Sequence, residues 1–421
     1  MRKIIEVYKR TTYLTKIENA FQTVPIVVLI GARQVGKTSI MQSMNFSKKM
    51  LFLNGQDIEI AALFDNLSTI ESYLKLYLNK ELDGYLLIDE FQFINGISTL
   101  LKLLTDKNKE LKILCSGSSS LDILQKVEES LAGRVRVIEV LSLSFEEYLQ
   151  FSDENLHKLY QSLDENTASS ALTVPIEQKF NEFIIFGGLP RAALVKSLSE
   201  KIEILNDIYQ TYLLKDIRNY IANEQVIGFN KLVQLLALQI GNLVNVNKLS
   251  RETGLTYKAC EDFLFLLEQM YIIKMIAPFQ GNQRKAIIKM KKIYFTDTGL
   301  RNRLANNFNP ISLRSDNGAI FENAVFLELW KMKSNSTQIQ FFRTTDGSEI
   351  DFIYNNLYSL KAIECKYKTF QKPTRLLALE NFCAENNIQE KYIVNQNLNT
   401  KTINTHFLQG FLVGKMKEIL N

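Results

Sequence analysis

Histidine is nearly missing from this 421-residue chain: there are two, His157 and His406. So small a number excludes a histidine-based zinc site and a Ser–His–Asp triad. Cysteine is also scarce. Cys115, Cys260, Cys365 and Cys383 lie far apart with no Cys-x-x-Cys pair, which reads as reduced, buried thiols in a reducing compartment. No apolar run approaches the roughly 18 residues of a membrane span. The start, Met1-Arg2-Lys3-Ile4-Ile5-Glu6, lacks the apolar core of a secretory signal. Internal repeats and low-complexity tracts are missing too. A cytoplasmic chain is expected, with no membrane partner.

What is present is ordinary in bulk and specific in detail. Hydrophobic residues make up 46% and charged residues 23%, values typical of globular chains. The formal charge of +5 permits nucleic-acid contact without demanding it. A single core stops growing near roughly 250–300 residues, so the length predicts about two to four domains.

The most informative stretch is Gly31-Ala32-Arg33-Gln34-Val35-Gly36-Lys37-Thr38. It follows the β-branched apolar run Ile26-Val27-Val28-Leu29-Ile30, which predicts a buried parallel strand. It precedes Ser39-Ile40-Met41-Gln42-Ser43-Met44, which suits the start of a helix. A loop between such elements turns several backbone N–H groups toward one point, as a polyphosphate requires. Gly31 and Gly36 allow the tight turn, Lys37 can reach the β- and γ-phosphates, and Thr38 can hold Mg²⁺. The sequence therefore predicts a nucleotide site lined by residues 31 to 39, Ser39 included. No Asn-Lys-x-Asp motif for guanine is present, which points to ATP.

A second apolar strand, Tyr85-Leu86-Leu87-Ile88, ends in Asp89-Glu90. Some fifty residues after a phosphate loop, Asp89 is expected to orient Mg²⁺ and Glu90 to polarise the attacking water. A third strand, Leu111-Lys112-Ile113-Leu114-Cys115, runs into Ser116-Gly117-Ser118-Ser119-Ser120. Ser116 or Ser118 can sense the γ-phosphate there, or the serines can cap the helix that follows; the two readings are compatible.

Downstream, Leu131-Ala132-Gly133-Arg134 and Leu143-Ser144-Phe145-Glu146-Glu147-Tyr148 join the phosphate loop and the Leu-Leu-Ile-Asp-Glu strand in a combination that resembles a known family. The resemblance is to bacterial and archaeal AAA-type P-loop ATPases with a C-terminal domain of unknown function and restriction-endonuclease-like fold. It continues through Phe186-Gly187-Gly188-Leu189-Pro190-Arg191 and covers nearly the whole chain. It implies ATP hydrolysis, with Arg134 as an arginine finger and Arg191 as a second sensor; ion-pair or surface roles are the alternatives.

Residues 143–228 are helical in texture and suit a lid. In 229–300, Val246 to Thr256 and Tyr257 to Leu267 read as a helix-turn-helix with a turn at Gly254 and a Thr cap. Two β-rich runs follow, around a polar Gly281-Asn282-Gln283-Arg284-Lys285 tip, and complete a winged helix. Lys258, Arg284 and Lys285 are then positioned for DNA phosphates, unless the module only packs against protein.

Beyond residue 300, Asp351 ends one strand while Glu364 and Lys366 share a face of the next. Two carboxylates suit Mg²⁺, and a lysine beside them can stabilise a phosphodiester. Glu322, on a preceding helix, can join. The order resembles the Asp…Glu-x-Lys nuclease superfamily, and a retained but inactive fold is the alternative. The whole chain is thus expected to be α/β: a P-loop core at 1–142, a helical lid at 143–228, a winged helix at 229–300 and a restriction-endonuclease-like domain at 301–421. ATP and Mg²⁺ are the expected cofactors, DNA the candidate macromolecular partner and a homo-oligomer the candidate assembly. The alternative is a nucleotide-controlled protein-interaction switch.

Overall fold

A computed structural model describes residues 8–117, 131–163, 171–211, 220–279, 290–344, 347–356 and 359–416. Ser118, Arg284 and Lys285, singled out above, lie outside them. The chain divides into two compact units, Met1–Leu141 with Gln269–Tyr271, and Ser142–Glu268 with Ile272–Asn421.

The first unit is built on a five-stranded sheet: β1 (Ile26–Ile30), β2 (Met50–Asn54), β3 (Gly84–Asp89), β4 (Leu111–Gly117) and β5 (Val135–Glu139). Their order is β2-β3-β4-β1-β5, and every pairing is parallel. β1 is central, and all five of its side chains are buried, as a continuous apolar run covered on both faces should be. The chain leaves β1 toward one edge of the sheet and later returns to its other side as β5. The carboxyl end of β1 is therefore the switch point at which open α/β sheets bind ligands. Ile70, Leu74, Leu101 and Leu104 from the covering helices pack with Leu86, Ile88 and Ile113 into one core.

In the second unit, helices Phe145–Ser152, Glu154–Ser162, Val174–Phe186, Pro190–Leu194 and Leu198–Ile208 come first. The first of them opens with a reciprocal capping box between Ser144 and Glu147. Gly187 lies against the buried Asp297: a Cβ there would sit 2.2 Å from the carboxylate, whose other oxygen accepts the Gly188 N–H at 2.8 Å. The Gly-Gly pair is thus required by close packing.

Helices Val226–Leu238, Val246–Thr253 and Tyr257–Gln269 follow, then an antiparallel pair, β6 (Ile273–Ile276) and β7 (Lys292–Phe295). Asn245 caps the middle helix, and the Thr256 hydroxyl accepts the Ala259 N–H at 3.1 Å at the start of the next. After helix Asn317–Met332 comes a six-stranded sheet of β8 (Gln338–Arg343), β9 (Glu349–Asn355), β10 (Leu360–Cys365), β11 (Lys391–Asn395), β12 (Thr400–Lys401) and β13 (Thr405–Gln409). Its order is β12-β13-β11-β10-β9-β8, with β10, β11 and β13 parallel and the rest antiparallel. Helix Leu377–Glu385 makes the crossover between β10 and β11.

Candidate functional site

Three neighbouring strands deliver the site in the first unit. The phosphate loop leaves β1, Asp89 ends β3, and Ser116 lies near the end of β4, which runs between them. The register sets Ser116 beside Leu29 and Cys115 beside Ile88, so all three arrive at the same carboxyl edge. Gly31 opens the loop at φ +151°, where a Cβ would stand 2.1 Å from the Val140 carbonyl oxygen. Only glycine passes that point without moving the β5 side of the loop. Lys37 begins helix Lys37–Ser43 and folds back, its Nζ donating to the carbonyls of Gly31 at 3.0 Å and Ala32 at 2.9 Å. Burial pushes Lys37 down to about 8, against the pull of Glu90 and Asp89.

The acid side of the site is equally well joined. The Thr38 hydroxyl donates to Asp89 Oδ2 at 2.8 Å, and Ser116 Oγ donates to Asp89 Oδ1. The Glu90 N–H points to Ser116 Oγ at 3.5 Å, and Glu90 itself holds a left-handed backbone, φ +51°. A non-glycine residue in that region marks a locally constrained backbone. The Glu90 carboxylate accepts from Gln92 Nε2. Sequence reading missed Gln92, since nothing in Phe91-Gln92-Phe93 announces it. It also missed Arg10, a buried arginine that donates to the carbonyls of Val35 at 3.0 Å and Leu141 at 2.8 Å and so braces the loop.

Lys37, Thr38, Asp89, Glu90 and Ser116 therefore meet at one point. Val35 turns its side chain into the core, Ala32, Arg33 and Gln34 are half-buried, and Ser39 is exposed. A buried ammonium, a hydroxyl and a carboxylate in hydrogen-bond contact match the donors that a magnesium polyphosphate takes. Magnesium needs only one or two protein ligands beside the phosphates.

Arg134 does not join them. It precedes β5, whose Val135 pairs with Ile26 at the amino end of β1, while the loop follows Ile30. Four residue steps at roughly 3.3 Å put about 13 Å of strand between the two ends. There Arg134 forms a two-pronged pair with Asp106, at 2.8 and 3.2 Å. Within one chain, then, it is a structural arginine on the far edge of the sheet. Arg191, in helix Pro190–Leu194, is an exposed residue of the second unit.

The outward face of helix Tyr257–Gln269 is not basic. It presents Tyr257 (46% exposed), Phe265 (56% exposed), Glu261 and Asp262, and its Lys258 is tied to Asp262 at 2.7 Å.

In the C-terminal part, Glu322 (on helix Asn317–Met332), Asp351 (on β9), Glu364 (on β10) and Lys366 do come together. Asp351 and Glu364 are 8% and 7% exposed, so these two carboxylates are buried, while the Lys366 side chain reaches solvent. The chain's own donors serve these carboxylates. Asp351 Oδ2 accepts the Cys365 N–H at 2.8 Å, Glu364 Oε2 the Asp351 N–H at 3.4 Å, and Lys366 bonds Glu364 Oε1. Burial, with Asp351 alongside, pushes Glu322 up to about 8 and Glu364 up to about 7, while burial also raises Asp351. Among the described residues, no group of three or more His, Cys, Asp or Glu is arranged to hold a metal. Lys292, Tyr294 and Glu349 complete the network and were missed. The spacing of Glu349 two residues before Asp351 was available as a signal; for Lys292, the first residue of β7 and one of several lysines there, there was none.

Comparison with known proteins supplies family context. Residues 23–149 match the AAA domain family, 177–310 a domain of unknown function (DUF8612) and 317–411 another domain of unknown function (DUF4143). An uncharacterized protein of Methanocaldococcus jannaschii is 27% identical over 337 residues, 78% of this chain and 71% of that one. An uncharacterized protein of Haemophilus influenzae is 24% identical over 391 residues, 89% of this chain and 91% of its own. Among solved structures, a Walker-type ATPase of Pyrococcus abyssi aligns over 71% of this chain and 96% of its own, at 16% identity and a TM-score of 0.50. No helix among the described residues is long and apolar enough to cross a membrane.

Proposed function

The chain carries an AAA-type P-loop ATPase domain and a C-terminal DUF4143 domain, and from this premise we propose a magnesium-dependent ATPase whose cycle governs a protein partner. The observation that carries the first half is the convergence of Lys37, Thr38, Asp89, Ser116 and Glu90 at the carboxyl edge of β1, β4 and β3. Lys37 would bind the β/γ-phosphates, and Thr38 and Asp89 would hold magnesium, whose charge would offset that of the phosphates. Glu90 accepts the proton of the attacking water, held in place by Gln92 and its constrained backbone. Ser116 keeps Asp89 oriented and would sense the γ-phosphate.

The second half rests on the face of helix Tyr257–Gln269. In a winged helix this element would enter the DNA major groove, where phosphates attract unpaired cations. Two carboxylates and two exposed aromatics with one neutralised lysine fit a protein surface better, since aromatics are enriched at such interfaces. The lid role of the helices between Phe145 and Ile208, and homo-oligomerisation, belong to the same proposal as the means by which nucleotide state reaches that surface.

The test is ATP turnover by the full chain with and without duplex DNA, with Lys37→Ala as the control that lacks the loop cation. We expect turnover in the native chain, none above background in Lys37→Ala, and no change on adding DNA. DNA stimulation that vanishes with salt would reassign the partner to DNA. Turnover equal in Lys37→Ala would remove the loop from the reaction.

A further inference from the structure

A metal-dependent nuclease of the kind the Asp…Glu-x-Lys order resembles needs carboxylate lone pairs free for a divalent cation. Here the chain's own ammonium stands among them. Lys292, on β7, is 1% exposed and extends its ammonium among the carboxylates: 3.2 Å from Glu322 Oε1, 3.7 Å from Asp351 Oδ1, and paired directly with Glu349. Tyr294, two residues on and on the same face of β7, donates its hydroxyl to that same Glu322 oxygen. Arg343 holds the other Glu349 oxygen at 2.9 Å, and Lys366 holds Glu364. Three cations thus face four carboxylates, Lys292 from inside and Lys366 and Arg343 from the rim, where both side chains reach solvent. A divalent ion among Glu322, Glu349 and Asp351 would have to sit beside the buried Lys292 ammonium, pressing like charges together away from water, a costly arrangement. The residues present do not fit the metal.

We infer that Lys292 occupies the cation position of this cluster, so that the C-terminal domain is silent as a metal-dependent nuclease and uses its acidic centre as an anchor. The lysine comes from the β6–β7 pair that follows the helix-turn-helix, and the carboxylates come from helix Asn317–Met332 and β9. The ion cluster therefore clamps that module to the C-terminal sheet. A buried ammonium with several carboxylate partners fixes register and orientation, because any displaced arrangement strands a charge. The inference stands apart from the ATPase reading, since every residue in it lies in the second unit.

The experiment measures Mn²⁺ bound to the nucleotide-free full chain, and the melting temperature with and without Mn²⁺. It compares the native chain, Asp351→Asn, Lys292→Met and the double variant Lys292→Met with Asp351→Asn. Native and Asp351→Asn should bind the same amount of Mn²⁺, and the native melting temperature should not move. Lys292→Met should melt several degrees lower and recover on adding Mn²⁺, and the double variant should not recover. Mn²⁺ bound by the native chain and lost in Asp351→Asn would overturn the inference. So would a folded Lys292→Met that ignores Mn²⁺. Should Lys292→Met fail to fold, the native and Asp351→Asn measurements decide alone: equal binding supports the inference, and excess binding in the native chain overturns it.

Discussion

Lys37 has been moved down to about 8 by its burial in the loop, and a bound polyphosphate requires its ammonium form. Below pH 8 the lysine is already charged, so nucleotide binding takes up no proton there. Above it the free site is increasingly neutral, and binding must draw a proton in. We expect ATP affinity to be flat below about pH 8 and to fall up to roughly tenfold per unit above it. Calorimetry at pH 9 in two buffers of unlike ionisation enthalpy checks this: the apparent binding enthalpies should differ by uptake of a fraction of one proton, and identical values would refute it. Arg134 gives a prediction of the opposite kind. Its partner is Asp106 at the far end of the sheet, so Arg134→Ala should leave turnover within about twofold and stability nearly unchanged, as for an exposed ion pair. An arginine finger would instead cost roughly a thousandfold or more, which steady-state kinetics distinguishes at once.

At the scale of elements, helix Phe145–Ser152 is held by its capping box and by the buried Glu328, whose carboxylate oxygens each accept the Phe145 N–H at 3.2 Å. Ser144→Ala should therefore cost about 1 kcal/mol by urea denaturation, and a loss under about 0.3 kcal/mol would mean that Glu328 alone secures the helix start. The same scale shows what the sequence made legible. The strand before the phosphate loop was readable because a strand buried on both faces must be apolar throughout, and the loop because its glycines sit where side chains cannot. The helix-turn-helix was readable through its amphipathic spacing and its Thr256 cap, found as a hydrogen bond to Ala259. The position of Arg134 was not readable, since it depends on β5 pairing beside β1 and in parallel, a long-range choice that no local pattern encodes. Lys292 was hidden for a similar reason. A lysine in a short strand normally reaches solvent, and only the packing of helix Asn317–Met332 and β9 around it turns it inward.

For the molecule as a whole, the arrangement assigns separate physical tasks to its two units. The first gathers Lys37, Thr38, Asp89 and Glu90 on the carboxyl edge of a parallel sheet. The second unites helices, the β6–β7 module and a mixed sheet, with an internal ion cluster at its centre and an aromatic, acidic helix face turned outward. The proposed ATPase reading depends most on Glu90 as the acceptor of the water's proton. ATP binding and phosphate release measured side by side for the native chain and Glu90→Gln test it most directly. An amide keeps the shape of the carboxylate and its contact with Gln92 but cannot accept a proton. Binding should therefore stay within about twofold, while turnover falls by roughly 100-fold or more. Equal turnover in the two proteins would contradict the account.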